Sequence, residues 1–419
     1  MAVHKILHLD LDAFFCAVEE LRHPELQGKA FAVGGKPNER GVVASCSYPA
    51  RRFGVRSAMP MTQALRLCQG LIVVPADHAA YEQASQRVMQ ILGGLTPLME
   101  QVSIDEAFLD VTDLPEPAEE IARRLQDQIQ RETQLPCSLG AASNKLMAKI
   151  ANDYGKAAAR GLTPPRAVTM VLPGQEEAFL APLPVRMLWG VGTKTELRLQ
   201  GLGVHTIGDL IHIPPAELIQ IFGKNGTDMI RRAHGVDDSP VETEHEVKSI
   251  SQEITFDRDL TDYRRLKETL QTLTTQVAYR LRKSGFCAGT IRLKLRWSDF
   301  TTLTRQVSLA DPVDQDGIIY AAIIGLFDAV WQPGRKVRLI GVGVSRLTQQ
   351  LHQPGLWDRP SDKERRLLEA VDELREKFGS KAILAGRTIQ PAARASRETG
   401  SSPKAATAGR RKTKKSELD

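Results

Sequence analysis

The stretch KILHLDLDAFFCAVEE, which starts at Lys5, constrains the fold more than any other part of the chain. From Ile6 to Leu11 the alternation puts Leu7, Leu9 and Leu11 on one face and Ile6, His8, Asp10 and Asp12 on the other, the pattern of a half-buried β-strand. Aspartate is unfavourable inside a strand and costly to bury uncompensated. A base, solvent or a metal ion must therefore stabilise the charge near the strand end. A second such place is QVSIDEAFLDV, where Ser103, Asp105 and Glu106 stand just before the apolar run 107–111. Adjacent carboxylates repel each other, and a divalent cation relieves the repulsion. Alone, a DLD or a DE is ordinarily structural or solvated. Two of them, each in an apolar strand with no Lys or Arg beside it in sequence, are compatible with one shared hard-metal site. Three carboxylates without His or Cys favour magnesium over zinc.

The 419 residues suggest about three domains of roughly 150 residues each, long enough to bury several cores. Up to about residue 165, strand-like runs (6–11, 42–45, 71–74, 107–111, 138–142) alternate with helical patterns (79–92, 118–132), an α+β arrangement. Residues 182–234 read as helical with closely spaced glycines, and HGVDDSPVETEHEVKS then reads as an acidic linker. Strands return over 250–347 (TIRLKLRW, TTLTRQVSL, VRLIGVGVSRL) around helical stretches at 263–283 and 317–330. After Gln350 come a proline-bounded peptide, a helix at 362–378 and a tail of disordered composition.

Charge is segregated along this order. The net charge is +6, and residues 387–419 carry all of it, with nine Lys and Arg against three Asp and Glu. Residues 248–346 hold sixteen basic against ten acidic side chains, so the first half is acidic in compensation. An acidic half suits metal ions and a basic third suits phosphates. No apolar run reaches the eighteen or so residues of a membrane span and no signal pattern opens the chain, so a cytoplasmic protein without membrane spans is expected. The five cysteines (Cys16, Cys46, Cys68, Cys137, Cys287) lack CxxC or Cys/His spacing. Reduced, mostly buried thiols are expected rather than disulfides or zinc.

HLDLDAFFCAVEE, VVASCSYPARRFGVRSAMP, SIDEAFLDV and AASNKLMAKIANDYGK, in that order and spacing, resemble the Y-family DNA polymerases of the DNA polymerase IV branch, over roughly residues 4–348. The resemblance implies an α+β multidomain fold: a right hand of palm, fingers and helix-hairpin-helix thumb, plus an α/β little finger. The expected division is palm at 1–10 and 74–165, fingers at 11–73, thumb at 166–233, linker at 234–247 and little finger at 248–347. A clamp-binding peptide and helix would occupy 348–386, and a disordered basic tail 387–419. In the family, two magnesium ions about 3.5–4 Å apart activate the primer 3′-hydroxyl and hold the incoming triphosphate. By that resemblance Asp10, Asp105 and Glu106 are the ligands, the Leu11 carbonyl joins the triphosphate-side metal, and Asp12 is structural.

Ser45, Tyr48, Arg51 and the distant Lys156 would then grip the triphosphate, Tyr48 and Arg51 sharing one side of a helical turn. No GxxxxGK[ST] is present, which disfavours a P-loop ATPase. Phe15 would be the steric gate that excludes a ribose 2′-hydroxyl, although on the residues alone an aromatic pair such as Phe14 and Phe15 is ordinarily core. MLWGVGTKTELRLQGLGVHTIGDL reads as a helix-hairpin-helix, in which Gly190 and Gly192 let backbone approach a DNA phosphate, with N–H groups at the start of the Thr193–Gln200 helix as donors; a plain helical hairpin is the other reading. Arg292, Lys294 and Arg296 alternate on one strand face and suit tracking of a phosphate backbone, or simply an exposed charged face. HQPGLWDRP offers Gln353, Leu356 and Trp357, similar to the peptides with which bacterial polymerases hold the sliding clamp, the β subunit of the replicative polymerase; a plain linker is the alternative. The expected partners are primer-template DNA, deoxynucleoside triphosphates and that clamp, with the chain a monomer. The expected function is error-prone, template-directed translesion synthesis without proofreading. The alternatives are another Y-family branch and a noncatalytic DNA-damage adaptor, which has no need of three clustered carboxylates.

Overall fold

The structure, a computed structural model, describes residues 4–159, 161, 163–244, 246–349 and 361–379. The strand Ile6–Leu11 forms where expected and lies at the centre of a five-stranded sheet. Glu106–Asp110 and Cys137–Ala142 flank it antiparallel, and Met99–Gln101 and Val168–Met170 close the edges. The expectation of a half-buried strand is wrong. Leu7, Leu9 and Leu11 face a core built with the helices Phe14–Arg22, His78–Leu95 and Ala118–Thr133. The opposite face is covered too, by the helix Lys145–Ala158, so that His8 is fully buried. Alternation missed this because the second layer arrives from more than 130 residues away.

That helix lies unusually close to the sheet. A Cβ on Gly140 would stand 1.9 Å from the Ala148 carbonyl oxygen and 2.6 Å from the Asn152 nitrogen, a space only glycine leaves. The core on this face continues without interruption into the next part of the chain: Ile6, Phe108, Ala142 and Leu146 pack in one cluster with Leu180, Leu199, Leu210 and Leu218. Those leucines belong to a group of short helices, including Thr193–Gln200, Ile207–Ile211, Pro215–Phe222 and Lys224–Ala233. A smaller unit between the first helix and the sheet has its own core and three strands, Val43–Cys46, Phe31–Gly34 and Ile72–Val74.

The last large unit is a four-stranded antiparallel sheet ordered Thr302–Val313, Phe286–Trp297, Val337–Gln349, Ser249–Leu260. The helices Tyr263–Lys283 and Asp316–Asp328 cover one face around Ile291, Leu293, Leu295 and Trp297. The helix expected at 362–378 is present as Ser361–Phe378, and Asp372 and Glu376 pair with Arg282 and Lys283 of the Tyr263–Lys283 helix. Residues preceding the four-stranded sheet are strapped to the first unit: Lys145 Nζ pairs with buried Glu100 and reaches the Pro240 carbonyl at 3.1 Å, while Glu100 accepts from Glu242 N at 2.8 Å. A second contact joins the smaller three-stranded unit to the four-stranded sheet, Arg40 Nη1 to Asp259 Oδ1 at 2.7 Å and to the Phe256 carbonyl at 3.1 Å. Among the described residues no helix is long and apolar enough to cross a membrane. Four of the five cysteines are buried and Cys287 is half-buried.

Candidate active site

Strand register brings the two acidic motifs together. Asp10 lies opposite Glu106 on one neighbour and opposite Ser138 on the other. The Leu11 N–H donates to the Asp105 carbonyl at 3.0 Å, which fixes the turn carrying Asp105 against the end of the central strand. Ser103 Oγ donates to Asp105 Oδ1 at 2.6 Å. Neither motif has a Lys or Arg beside it in sequence, but the fold brings two from the Lys145–Ala158 helix, Lys156 paired with Asp10 and Lys149 with Glu106. They are seven residues apart and so share a helix face.

Glu106 also accepts from buried His8, whose Nε2 lies 2.6 Å from Oε1. Asn152 fixes the tautomer. Its Nδ2 points at the Ser138 carbonyl at 3.1 Å and at His8 Nδ1 at 2.9 Å, so it donates to both and Nδ1 must be the acceptor. His8 is therefore a neutral imidazole that donates from Nε2, in keeping with burial holding its pKa below the ordinary value. Burial alone would raise the Glu106 carboxyl, but the His8 and Lys149 hydrogen bonds outweigh it and draw it down to about 2. Asp105 goes the other way: burial raises it, and the charges of Asp10 and Glu106 add to that against the Ser103 hydrogen bond.

Among the described residues no three Asp, Glu, His or Cys side chains stand as a ready metal cluster; each candidate ligand faces an ammonium, an imidazole or a hydroxyl instead. The chemistry of the donors nevertheless fits a hard divalent cation. They are oxygens only, and the repulsion that raises Asp105 is of the kind such an ion relieves.

Asp10, Leu11 and Asp105 open onto a cleft of about 350 Å³ that is also lined by Phe15, Ser45, Tyr48, Arg51 and Lys156. One cavity thus gathers two of the three expected carboxylates, the gate and all four expected triphosphate residues. Glu106 is not in its wall. Ser47 caps the short helix Tyr48–Arg52, and the Arg51 guanidinium lies 4.6 Å above the Tyr48 ring, the expected single turn. Ala13, at φ 49°, makes the left-handed bend that lets the first helix start at the strand end. A non-glycine residue there carries strain of about 1–2 kcal/mol, a kind of strain that clusters at functional sites.

Phe15 is half-buried, and its inner face is backed by Tyr81, with ring centroids 4.2 Å apart and planes 13° from parallel. Asp12 is structural: it is 1% exposed, accepts from Ser138 Oγ at 2.9 Å and from Arg166 N at 3.0 Å, and so ties the segment after the Lys156 helix to the sheet. The remaining expected residues lie elsewhere. Gly190 (φ 99°) and Gly192 form the exposed turn before Thr193–Gln200, the helix start as read from sequence. Arg292, Lys294 and Arg296 line the open face of the four-stranded sheet, and across from Arg292 and Lys294 the next strand carries Gly343 and Gly341, leaving a shallow groove of about 220 Å³. Gln353, Leu356 and Trp357 fall outside the described residues, as does the basic tail. Sequence reasoning missed His8, Lys149 and Tyr81. Of these Lys149 had a signal: it lies with Asn152 and Lys156 on one polar stripe of a helix that is otherwise mostly buried.

Comparisons with known proteins converge on one family. Residues 9–153 match the model of the impB/mucB/samB family and residues 247–356 that of its C-terminal domain. The chain is 40% identical to the DNA polymerase IV of Desulfatibacillum aliphaticivorans over 94% of its own length and 97% of the relative's. It resembles a Y-family DNA polymerase chimera of Dbh and Dpo4 at a TM-score of 0.73 and 26% identity, over 82% of this chain and 99% of that one. An insertion ternary complex of Dbh DNA polymerase matches at a TM-score of 0.60 and 26% identity, over 81% and 98%.

Proposed function

The chain belongs to the impB/mucB/samB family of Y-family DNA polymerases, and on that premise we propose how its cleft works. It is a template-directed, error-prone translesion DNA polymerase whose partners are DNA and deoxynucleoside triphosphates, and like its family it uses divalent metal. A noncatalytic adaptor is not favoured.

In this reading Asp10, Asp105 and Glu106, with the Leu11 carbonyl, hold two magnesium ions. Held there, such ions would supply Lewis-acid chemistry, lowering the pKa of the primer 3′-hydroxyl and offsetting charge on the triphosphate. Lys156, paired with Asp10 in this structure, turns to the phosphates when a triphosphate enters, and Arg51 and Tyr48 hold the same group from the facing turn with Ser45 beside them. Phe15 lies beneath the sugar and rejects a 2′-hydroxyl by bulk. Gly190 and Gly192 offer backbone to the duplex phosphates, and Arg292, Lys294 and Arg296 offer charge. The sheet around Ile6–Leu11 with the Lys145–Ala158 helix is the palm, residues 11–73 the fingers, 166–233 the thumb, 234–247 the linker and 248–347 the little finger. Gln353, Leu356 and Trp357 dock on the sliding clamp, and the chain works as a cytoplasmic monomer without proofreading.

The observation that carries this reading is the single cleft shared by Asp10, Asp105, Phe15, Ser45, Tyr48, Arg51 and Lys156. Its test is Asp105→Ala in primer extension with magnesium. Incorporation should vanish while primer-template affinity changes little, because the carboxylates act on the reacting phosphate and DNA affinity comes from the basic sheet and thumb. Appreciable turnover by the purified variant sinks the assignment. Arg51→Ala should chiefly weaken use of the triphosphate, and an unaltered incorporation efficiency would remove Arg51 from the site.

A further inference from the structure

Behind the gate lies a carboxylate for which the reaction has no use. Glu19, on the Phe14–Arg22 helix, is 1% exposed. Its Oε1 accepts from the Tyr81 hydroxyl at 2.7 Å and from Arg22 Nη1 at 3.0 Å. Arg22 also donates to Asp77 Oδ2 at 2.8 Å, and Asp77 Oδ1 caps the His78–Leu95 helix by accepting from Ala80 N at 3.2 Å. Tyr81 is the residue stacked on Phe15, and His78 stands edge-on to both rings at 6.1 Å. The helix that carries the gate is thus bolted, through Glu19 and Arg22, to the helix that backs it.

Burying a carboxylate is costly, and a buried ion pair is weak evidence for added stability. Fully paired polar groups in a dry interior do restrict the geometry of what they hold. Here they hold the far end of Tyr81. Exclusion by bulk requires that the excluding ring not retreat, and a retreat of Phe15 away from the cleft towards its stacking partner displaces Tyr81. We propose that Glu19 is a positioning residue for sugar selection: by accepting the Tyr81 hydroxyl it keeps that ring flat against Phe15, so that Phe15 cannot recoil from a ribose 2′-hydroxyl. This rests on the reading of Phe15 as the gate.

The test compares kcat/KM for a ribonucleotide with that for the matching deoxynucleotide, in single-nucleotide primer extension by the full chain. Glu19→Ala and Tyr81→Phe should each raise the ribonucleotide share about fivefold to tenfold, the scale of one lost hydrogen bond. Glu19→Gln keeps an oxygen for the Tyr81 hydroxyl and should stay near the parent ratio. A merely structural role lowers both nucleotides alike and leaves the ratio where it was. Tyr81→Phe keeps the ring, so the question stays answerable if Glu19→Ala does not fold. If Phe15→Ala raises the ratio while Glu19→Ala or Tyr81→Phe leaves it unchanged, the proposal is overturned and the gate stands. If Phe15→Ala itself has no effect, the gate falls and this proposal with it.

Discussion

Both donors to Glu106 bind the same atom. His8 and Lys149 meet at Oε1, which leaves Oε2 to be aimed by the rotation they permit. Removing His8 loosens the carboxylate and also leaves Asn152 without its ring acceptor. His8→Leu should therefore raise the magnesium concentration needed for half-maximal incorporation, and it should cost about tenfold in rate, the size of one charge-assisted hydrogen bond. His8→Gln, which can still donate, should lose less; equal losses in a magnesium titration would refute the aiming role. At the same scale, burial pushes the Cys16 and Cys137 thiols up to about 12. A raised thiol binds its proton more tightly in the native chain than in the unfolded one. Its contribution is whole below the ordinary thiol value and is lost as pH rises towards 12. Urea midpoints should fall between about pH 9 and 11, and less steeply in Cys137→Ala.

The Lys145–Ala158 helix sets most of the site, since it supplies Lys149, Asn152 and Lys156 at once. Its position depends on Gly140. Gly140→Ala must push the helix off the strand, with an overpacking cost of about 1–3 kcal/mol or more. A lowered Tm should accompany a loss of incorporation larger than that caused by Lys149→Ala, because three side chains move together. A variant with unchanged Tm would show that the helix tolerates the shift. Such dependence also explains what was legible beforehand. Thr193–Gln200 and Tyr263–Lys283 were readable to the residue, because their periodicity and flanking glycine or aspartate are local. That the Asp10 and Asp105–Glu106 motifs meet was readable from the residues as one of two readings, which the resemblance sharpened, and the Lys149–Glu106 and Tyr81–Glu19 contacts not at all. They join residues 43 and 62 positions apart, and no local pattern encodes which helix face will meet which strand.

Between the three-stranded unit and the four-stranded sheet the direct tie is narrow. Arg40 to Asp259 is a partly exposed pair, worth about 1 kcal/mol at most and weakened by salt. Arg40→Ala should broaden the distance distribution in small-angle scattering without changing Tm, and an unchanged distribution would show that the strap through Glu100 and Lys145 suffices. The proposed tether to the clamp would act at this scale too, since a tether raises local concentration without new DNA contacts. Leu356→Ala combined with Trp357→Ala should abolish clamp-stimulated synthesis and spare clamp-free extension; full stimulation would make the peptide a linker. The uninterrupted core shared by the central sheet and the short helices has an effect on how the molecule fails. Leu180, Leu199 and Leu210 cannot melt without exposing Ile6 and Phe108, so these regions denature as one block, whereas the four-stranded sheet has a core of its own. Heat should therefore take such a chain apart in two steps, with the strand that carries Asp10 and the short helices packed against its sheet lost together in one of them.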